Sequence, residues 1–455
     1  MRSNFDVKIA FSIMAVLFIF VGIFQSWGFA LSILNLCLIS AVMSMGVNIQ
    51  WGFSGLINFG VMGFLAIGGL ATVLVSVPPV YEAWHAGGKG ILLSGIFLIL
   101  IIYVIFLINK KIKFKYKNYL IFTLVILLIP LMKFISGPSI DAIESIDAAT
   151  SGYLGGLNLP IIFSWFVGAI LAALVAFVIG KICLGLRSDY LAISTLLISG
   201  IIISLVKHEE WLSRGVKNVI GLKRPVPYEI DLQNSNWFPK LIEFLNSSLL
   251  SSMSNLDKRT ALLEDLVISS SGVFVKLCFA LIFAFVLIVL LIFSEKALRS
   301  PWGRMMRAIR DNEVAAKAMG KNVVKRHLHI FMIGSAIIGF AGAMLVTYDG
   351  LFTPSSYQPL RYTFLIWVMV LLGGTGNNYG AILGGFVVWF IWIESAPFAL
   401  FLINTILSNV DDGNSFKVHM IESIPYFRFL IMGLGLLLVM RYRPKGLLPE
   451  KIIKS

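Results

Sequence analysis

Continuous runs of apolar residues, each about the length of one helix, recur near residues 8–27, 29–49, 55–77, 91–108, 119–135, 161–183, 189–206, 273–293, 328–347, 360–373, 379–402 and 426–440. The runs do not alternate apolar with polar positions, which excludes the period of two expected of a transmembrane barrel. Since about 20 apolar residues cross the hydrocarbon core, the pattern predicts an all-α polytopic transmembrane bundle of about 10–12 spans, some of them broken. The run at 9–24 is too long and apolar for a cleaved leader, and no small-residue cleavage site follows Gln25, so it is expected to stay as the first span.

Composition hardens this picture. Of 455 residues, 58% are hydrophobic and 13% charged, too little polar surface to clothe a water-soluble domain. Lys and Arg outnumber Asp and Glu by 37 to 23, a net charge of +14. In a membrane chain this excess reads as topology and as attraction to anionic membrane lipid, and no nucleic-acid partner is expected. The basic clusters are Lys110, Lys111, Lys113, Lys115 and Lys117, then 296–326, then Arg441, Arg443 and Lys445, and four runs separate each from the next. All three, and both termini, are therefore expected in the cytoplasm, with Asp141, Glu144 and Asp147, or Asp411 and Asp412, outside. This divides the chain into an N-terminal transmembrane half (1–206), an extracytoplasmic loop or small cap (207–272) and a C-terminal transmembrane half (273–455) with a polar cytoplasmic loop at 299–327. The cap reading rests on Trp211, Trp237 and an amphipathic stretch at 256–267.

Signals for catalysis are missing. Cys37, Cys183 and Cys278 sit inside apolar runs, where packing explains them. The five histidines, His85, His208, His327, His329 and His419, show no metalloprotease spacing, and Gly180-Lys181 is followed by Ile182 rather than the Ser or Thr of a phosphate-binding loop. No metal, no cofactor and no enzyme activity are expected, and any ATP hydrolysis falls to another subunit. An ion-coupled secondary transporter, the rival from another class, would want carboxylates in the spans, which hold almost none. Glu394 is the acidic residue deepest in an apolar run, and its place near Ser395 and Pro397 fits the outer interface. Ser188 and Asp189 are expected to cap the span from Tyr190, with Arg187 as an anchor.

Glycine gathers in two membrane segments. Gly52, Gly55, Asn58 and Gly60 belong to the first, and Gly373, Gly374, Gly376 and Asn377 to the second. Glycine permits unwound backbone and Asn can satisfy the groups so freed, so both segments read as broken helices lining a translocation path. Close helix packing by small residues is the alternative.

The loop at 299–327 reads as two short helices. Ser300 and Pro301 can open the first, with Met305, Met306 and Ile309 on one side and Arg304, Arg307 and Arg310 on another. Asp311 or Asn312 can cap the second, Ala315, Ala316, Ala318 and Met319 give it an apolar surface, and Gly320 stops it. A helix of two turns is unstable alone, so it leans on the membrane domain, on a partner, or on lipid.

These residues carry a resemblance. Glu313-Val314-Ala315-Ala316-Lys317-Ala318-Met319-Gly320 resembles the Glu-Ala-Ala loop through which permeases of ATP-binding-cassette importers dock on their ATPases. Gly303-Arg304-Met305-Met306-Arg307-Ala308-Ile309-Arg310 resembles its preamble in the branched-chain amino acid permeases, and the inserted Val314 departs from the generic loop as that group does. Residues 48–69, 186–196 and 372–385 are similar, in this order, to the permease of that group with the longer outer loops. The resemblance implies a permease subunit that carries branched-chain or related amino acids across the inner membrane. Its implied partners are a second permease, two ATP-binding-cassette ATPase subunits and a periplasmic substrate-binding protein. It also implies ATPase coupling through Gly303, Arg304, Arg307, Arg310, Glu313, Ala315, Ala316 and Gly320. Urea permeases share the motifs, so urea or a short-chain amide is the alternative cargo.

Overall fold

A computed structural model describes residues 2–111, 117–147, 152–251, 256–411 and 413–450; Lys113, Lys115 and Asp412 lie outside the described residues. The apolar runs become helices α1 (Arg2–Phe24), α2 (Trp27–Val47), α3 (Val61–Ser76), α4 (Lys89–Lys111), α5 (Lys117–Glu144), α6 (Ile162–Cys183), α7 (Ser188–His208) and α8 (Leu256–Arg299). The polar loop then folds as α9 (Pro301–Asp311) and α10 (Glu313–Ala318), and the chain continues as α11 (Val323–Asp349), α12 (Pro359–Gly373), α13 (Asn378–Ile406) and α14 (Ile424–Tyr442). Among the described residues ten helices are long and apolar enough to cross a membrane, with α3 and α12 as shorter apolar helices. The protein is an all-α, multi-pass membrane protein.

The core forms where α11 packs on α6, α3 and α2, and where α2 also meets α8 and α13. Small residues set these distances. A Cβ on Gly68 of α3 would sit 1.8 Å from the Gly339 carbonyl oxygen of α11, so the two backbones touch. Polar pairs also tie the helices together, as in the bond from the Trp165 ring N–H to Thr347 Oγ1 at 2.9 Å. At the periphery α14 has no buried residue, and Phe285, Phe293 and Leu281 of α8 are exposed, as lipid-facing helices require.

At one end of the bundle lie α9 and α10; at the other lie the segment 209–251 and the loop after α11. There Val219–Ile220 and Leu351–Phe352 form a two-stranded antiparallel pair, the strands found among the described residues. The amphipathic stretch at 256–267 is the first part of α8, which runs 44 residues, and it meets the segment 209–251 through Arg259 and Glu243 at 3.1 Å. One local expectation is corrected. Ser188 and Asp189 do not cap α7: its N-cap is Arg187, with no side-chain capping bond.

Candidate functional site

Local chemistry builds the two-helix loop. Pro301 opens α9 where a missing N–H costs nothing. The Ser300 hydroxyl does not cap the helix, as its sequence position suggests; it turns back to donate to the Ala297 carbonyl at 2.6 Å. Gly303 is buried so tightly that a Cβ would meet the Leu298 carbonyl oxygen at 2.1 Å, which presses α9 against the end of α8. Met306 and Ile309 are fully buried with Ile49, Val323 and Ile330, so α9 is fastened to the membrane domain by its apolar side.

The three arginines divide their work. Arg304 and Arg307 donate to the last carbonyls of α8, those of Arg299 and Leu298, at 3.2 and 2.9 Å. Arg310 reaches inward instead. Its guanidinium donates to the Gly52 carbonyl, pairs with Glu450 at 2.9 Å and bonds Asp311 at 3.0 Å. Burial alone would lower its pKa, but the bonds to Glu450 and Asp311 more than offset that and hold the proton more firmly than usual.

Asn312 caps α10, accepting from the Ala315 N–H at 3.0 Å, and Gly320 ends it with a positive φ of 75°. Of this helix only Ala316 is buried; Glu313 and Ala315 face solvent, and Glu313 pairs with Lys317 at 2.7 Å. Val314 and Met319 are 77% and 79% exposed, an apolar edge turned away from the bundle.

The two glycine-rich segments meet each other beside this loop. After α2 the helix loosens over Asn48–Gly52, and 53–60 is largely irregular before α3 begins. Asn48 accepts from the Gly376 N–H at 2.9 Å and donates to Asn378 Oδ1 at 3.2 Å, and Asn378 in turn donates to Glu295 at 3.0 Å. Gln50 donates to the Phe331 carbonyl and to Ser335 of α11 and accepts from Asn58 at 2.9 Å. The Trp367 ring N–H closes the knot on the Asn58 carbonyl at 3.0 Å. Gly60 donates its N–H to Asn58 Oδ1 at 2.8 Å. Ser335 stands about 18 Å along α11 from its first residue at ~1.5 Å per residue, so this polar knot lies well inside the bundle.

Gly55 and Gly376 are where backbone freedom matters, with φ of 73° and 77°. Both touch Arg310: a Cβ on Gly55 would lie 3.3 Å from its Cγ, and one on Gly376 would lie 2.8 Å from Glu450 and 3.1 Å from the guanidinium. The tail after α14 completes the site. Leu447 and Leu448 donate their N–H groups to the carbonyls of Leu372 and Gly373, and Asn377 donates to the Leu448 carbonyl. Gly446 packs against Gly374.

The glycines and asparagines of the two glycine-rich segments are thus gathered at one junction beside Arg310. Asn48, Gln50, Trp367 and Glu450 belong there too and went unread. The available signals were two amides at the end of an apolar run and the Pro444-Lys445-Gly446 pattern past the last span. The carboxylates of the junction are engaged, Glu450 by Arg310 and Glu295 by Asn378, and among the described residues no three His, Cys, Asp or Glu side chains are grouped to hold a metal ion. What the junction offers is a direct connection: Arg310 of α9 touches both non-helical segments inside the bundle.

Residues 143–440 match the family described as branched-chain amino acid transport system / permease component. A probable branched-chain amino acid transport permease protein LivM of Methanocaldococcus jannaschii is 31% identical over 42% of this chain and 51% of its own length. The high-affinity branched-chain amino acid transport system permease protein LivM of Escherichia coli is 25% identical over 62% of this chain and 56% of its own. A fructose import permease protein, FrcC of Rhizobium meliloti, is 30% identical over 20% of this chain. The chain spans about half the length of the LivM relatives it matches. No solved structure matches.

Proposed function

Since the chain belongs to the family of branched-chain amino acid transport system permease components, we propose that it is the permease subunit of an ATP-binding-cassette importer moving branched-chain or related amino acids across the inner membrane. It works with a second permease, two ATPase subunits and a periplasmic substrate-binding protein, and itself performs no hydrolysis. In this reading α9, α10 and both termini face the cytoplasm, as the basic loops ask, and the segment 209–251 faces the binding protein.

One observation carries the reading. The exposed apolar edge of α10 is free to dock on another subunit, while the same loop is bonded through Arg310 to the backbone of Gly52. Closure of two ATPases on bound ATP would displace α10, α9 would follow, and the segments at 48–60 and 373–380 would shift between two packings and change access to the path. Gly52, Gly55, Asn58, Gly60, Gly373, Gly374, Gly376 and Asn377 are then the moving part of that path, next to its cytoplasmic end. The relatives named for branched-chain amino acids favour that cargo over urea, and neither they nor the spans favour ion coupling.

The test is uptake of labelled leucine into membrane vesicles from cells producing the chain with its partner subunits, with ATP on the cytoplasmic side. ATP-dependent uptake that survives a protonophore is expected. Uptake abolished by the protonophore while ATP is held constant would replace this reading with ion coupling.

A further inference from the structure

At the end of the bundle away from α9 and α10, an open cavity of about 300 Å3 is lined by α2, α3, α11, α12, α13 and the loop after α11. Its wall is mostly apolar and branched or thioether in kind: Ile39 and Met43 from α2, Met62 and Leu65 from α3, Ile366 and Met369 from α12. Met62 stands two residues beyond Gly60, and Met369 two beyond Trp367, whose ring N–H holds Asn58. The cavity floor is therefore the roof of the polar knot that Arg310 ties to α9.

The polar groups in this wall are few. Asp349, the last residue of α11, is solvent-accessible, and no hydrogen bond or ion pair joins its side chain to another described residue. Tyr357 lies beside it, and the ring N–H of Trp389, also in the wall, is buried without a partner. A carboxylate, an unpartnered ring N–H and an aliphatic wall together complement a molecule with an ammonium, a carboxylate and a branched apolar side chain. Methionines let such a wall accept several side-chain shapes, which suits a class of ligands.

We infer that this cavity is a binding station for aliphatic amino acids within this one chain, with Asp349 receiving the ammonium group. The inference rests on the proposed import of amino acids and adds a site and a recognising residue to it. A site on the outer side of the knot would hold cargo until the packing at Asn48–Gly60 changes.

Leu345 lines the cavity one turn before Asp349 on the same face of α11 and reports its occupancy. In full-length chain lacking Cys37, Cys183 and Cys278, carried in vesicles with its partner subunits, Leu345→Cys is alkylated with a small maleimide. Leucine is expected to slow alkylation, while 4-methylpentanoate, which keeps the aliphatic chain and carboxylate but lacks the ammonium, is not. Asp349→Asn should raise the leucine concentration for half-protection about tenfold or more, and Asp349→Glu should largely restore it. Equal protection by 4-methylpentanoate, or unchanged protection in Asp349→Asn, overturns the role of Asp349. Alkylation indifferent to leucine, as a lipid-filled cavity would give, overturns the site. ATP-driven leucine uptake is measured on the same vesicles: uptake without protection removes the cavity alone, whereas protection without uptake keeps the cavity and removes the import reading.

Discussion

Arg310→Met keeps much of the aliphatic stem of the arginine and deletes every bond it makes to the glycine-rich junction. The magnitude follows from the contacts. Leaving the buried Gly52 carbonyl without its donor costs about 1–3 kcal/mol. The pair with Glu450, whose side chains are 23% and 24% exposed, is partly screened and adds about 1 kcal/mol. Asp311 is too exposed to add anything measurable. Together the loss is about 2–4 kcal/mol, which shifts the equilibrium between fastened and released α9 about 30- to 1000-fold. Met306 and Ile309 stay buried, so the helix itself persists and the chain still reaches the membrane. Hydrogen exchange over 301–320 and 443–450, measured beside ATP-driven uptake per copy of the chain, reads both consequences. Faster exchange in both segments and a loss of uptake larger than any loss of abundance are expected. Glu450→Gln, which removes the charge but leaves an acceptor, should give a weaker effect of the same kind. Unchanged exchange and uptake in Arg310→Met would refute the idea that this side chain links the loop to the bundle.

Three further outcomes follow from the same contacts. Gly376→Leu forces a side chain into a left-handed position against Glu450 and should uncouple hydrolysis from uptake with modest loss of complex, whereas Gly68→Leu, which collides with the Gly339 backbone, should lower abundance and uptake together; quantitative blots beside uptake assays separate the two. Gln50→Leu strands the Asn58 side-chain N–H inside the bundle and should lower the thermal unfolding midpoint of the detergent-solubilised chain, by a loss of about 1–3 kcal/mol. Engineered cysteines at Asn236 and Arg443 should be labelled from opposite sides of the membrane, 236 from outside; labelling of both from one side contradicts the orientation.

Much of this was legible because bilayers impose one dominant rule. A continuous apolar run must become a helix whatever its neighbours, and α1, α2, α6 and α11 lie where their runs lie. The caps of α10 were legible for a local reason, since Asn312 and Gly320 act on backbone a few residues away. Ser300 failed because its hydroxyl can donate to a nearby carbonyl instead, and Asp189 because the helix already begins at Ser188, which puts it inside the first turn. The glycine-rich segments were visible, but their meeting was not: Asn48 and Gly376 are joined across 328 residues. Nor does any local pattern reveal that Glu450, beyond the last span, closes on Arg310. Such pairs depend on how helices cross, which is set by small-residue contacts such as Gly68 on Gly339.

If α10 is the docking element for a separate ATPase, the two subunits should travel together and part when the exposed edge of α10 is charged. Tagged full-length chain purified in mild detergent from membranes containing all the subunits should bring ATPase activity with it. Val314→Glu combined with Met319→Glu charges the exposed edge of α10 without disturbing a buried residue, since both side chains face away from the bundle. The account predicts that this variant reaches the membrane at normal abundance and loses the co-purified ATPase activity about tenfold or more, in line with charges placed at the centre of an interface. Co-purification undiminished in the doubly charged variant would contradict it.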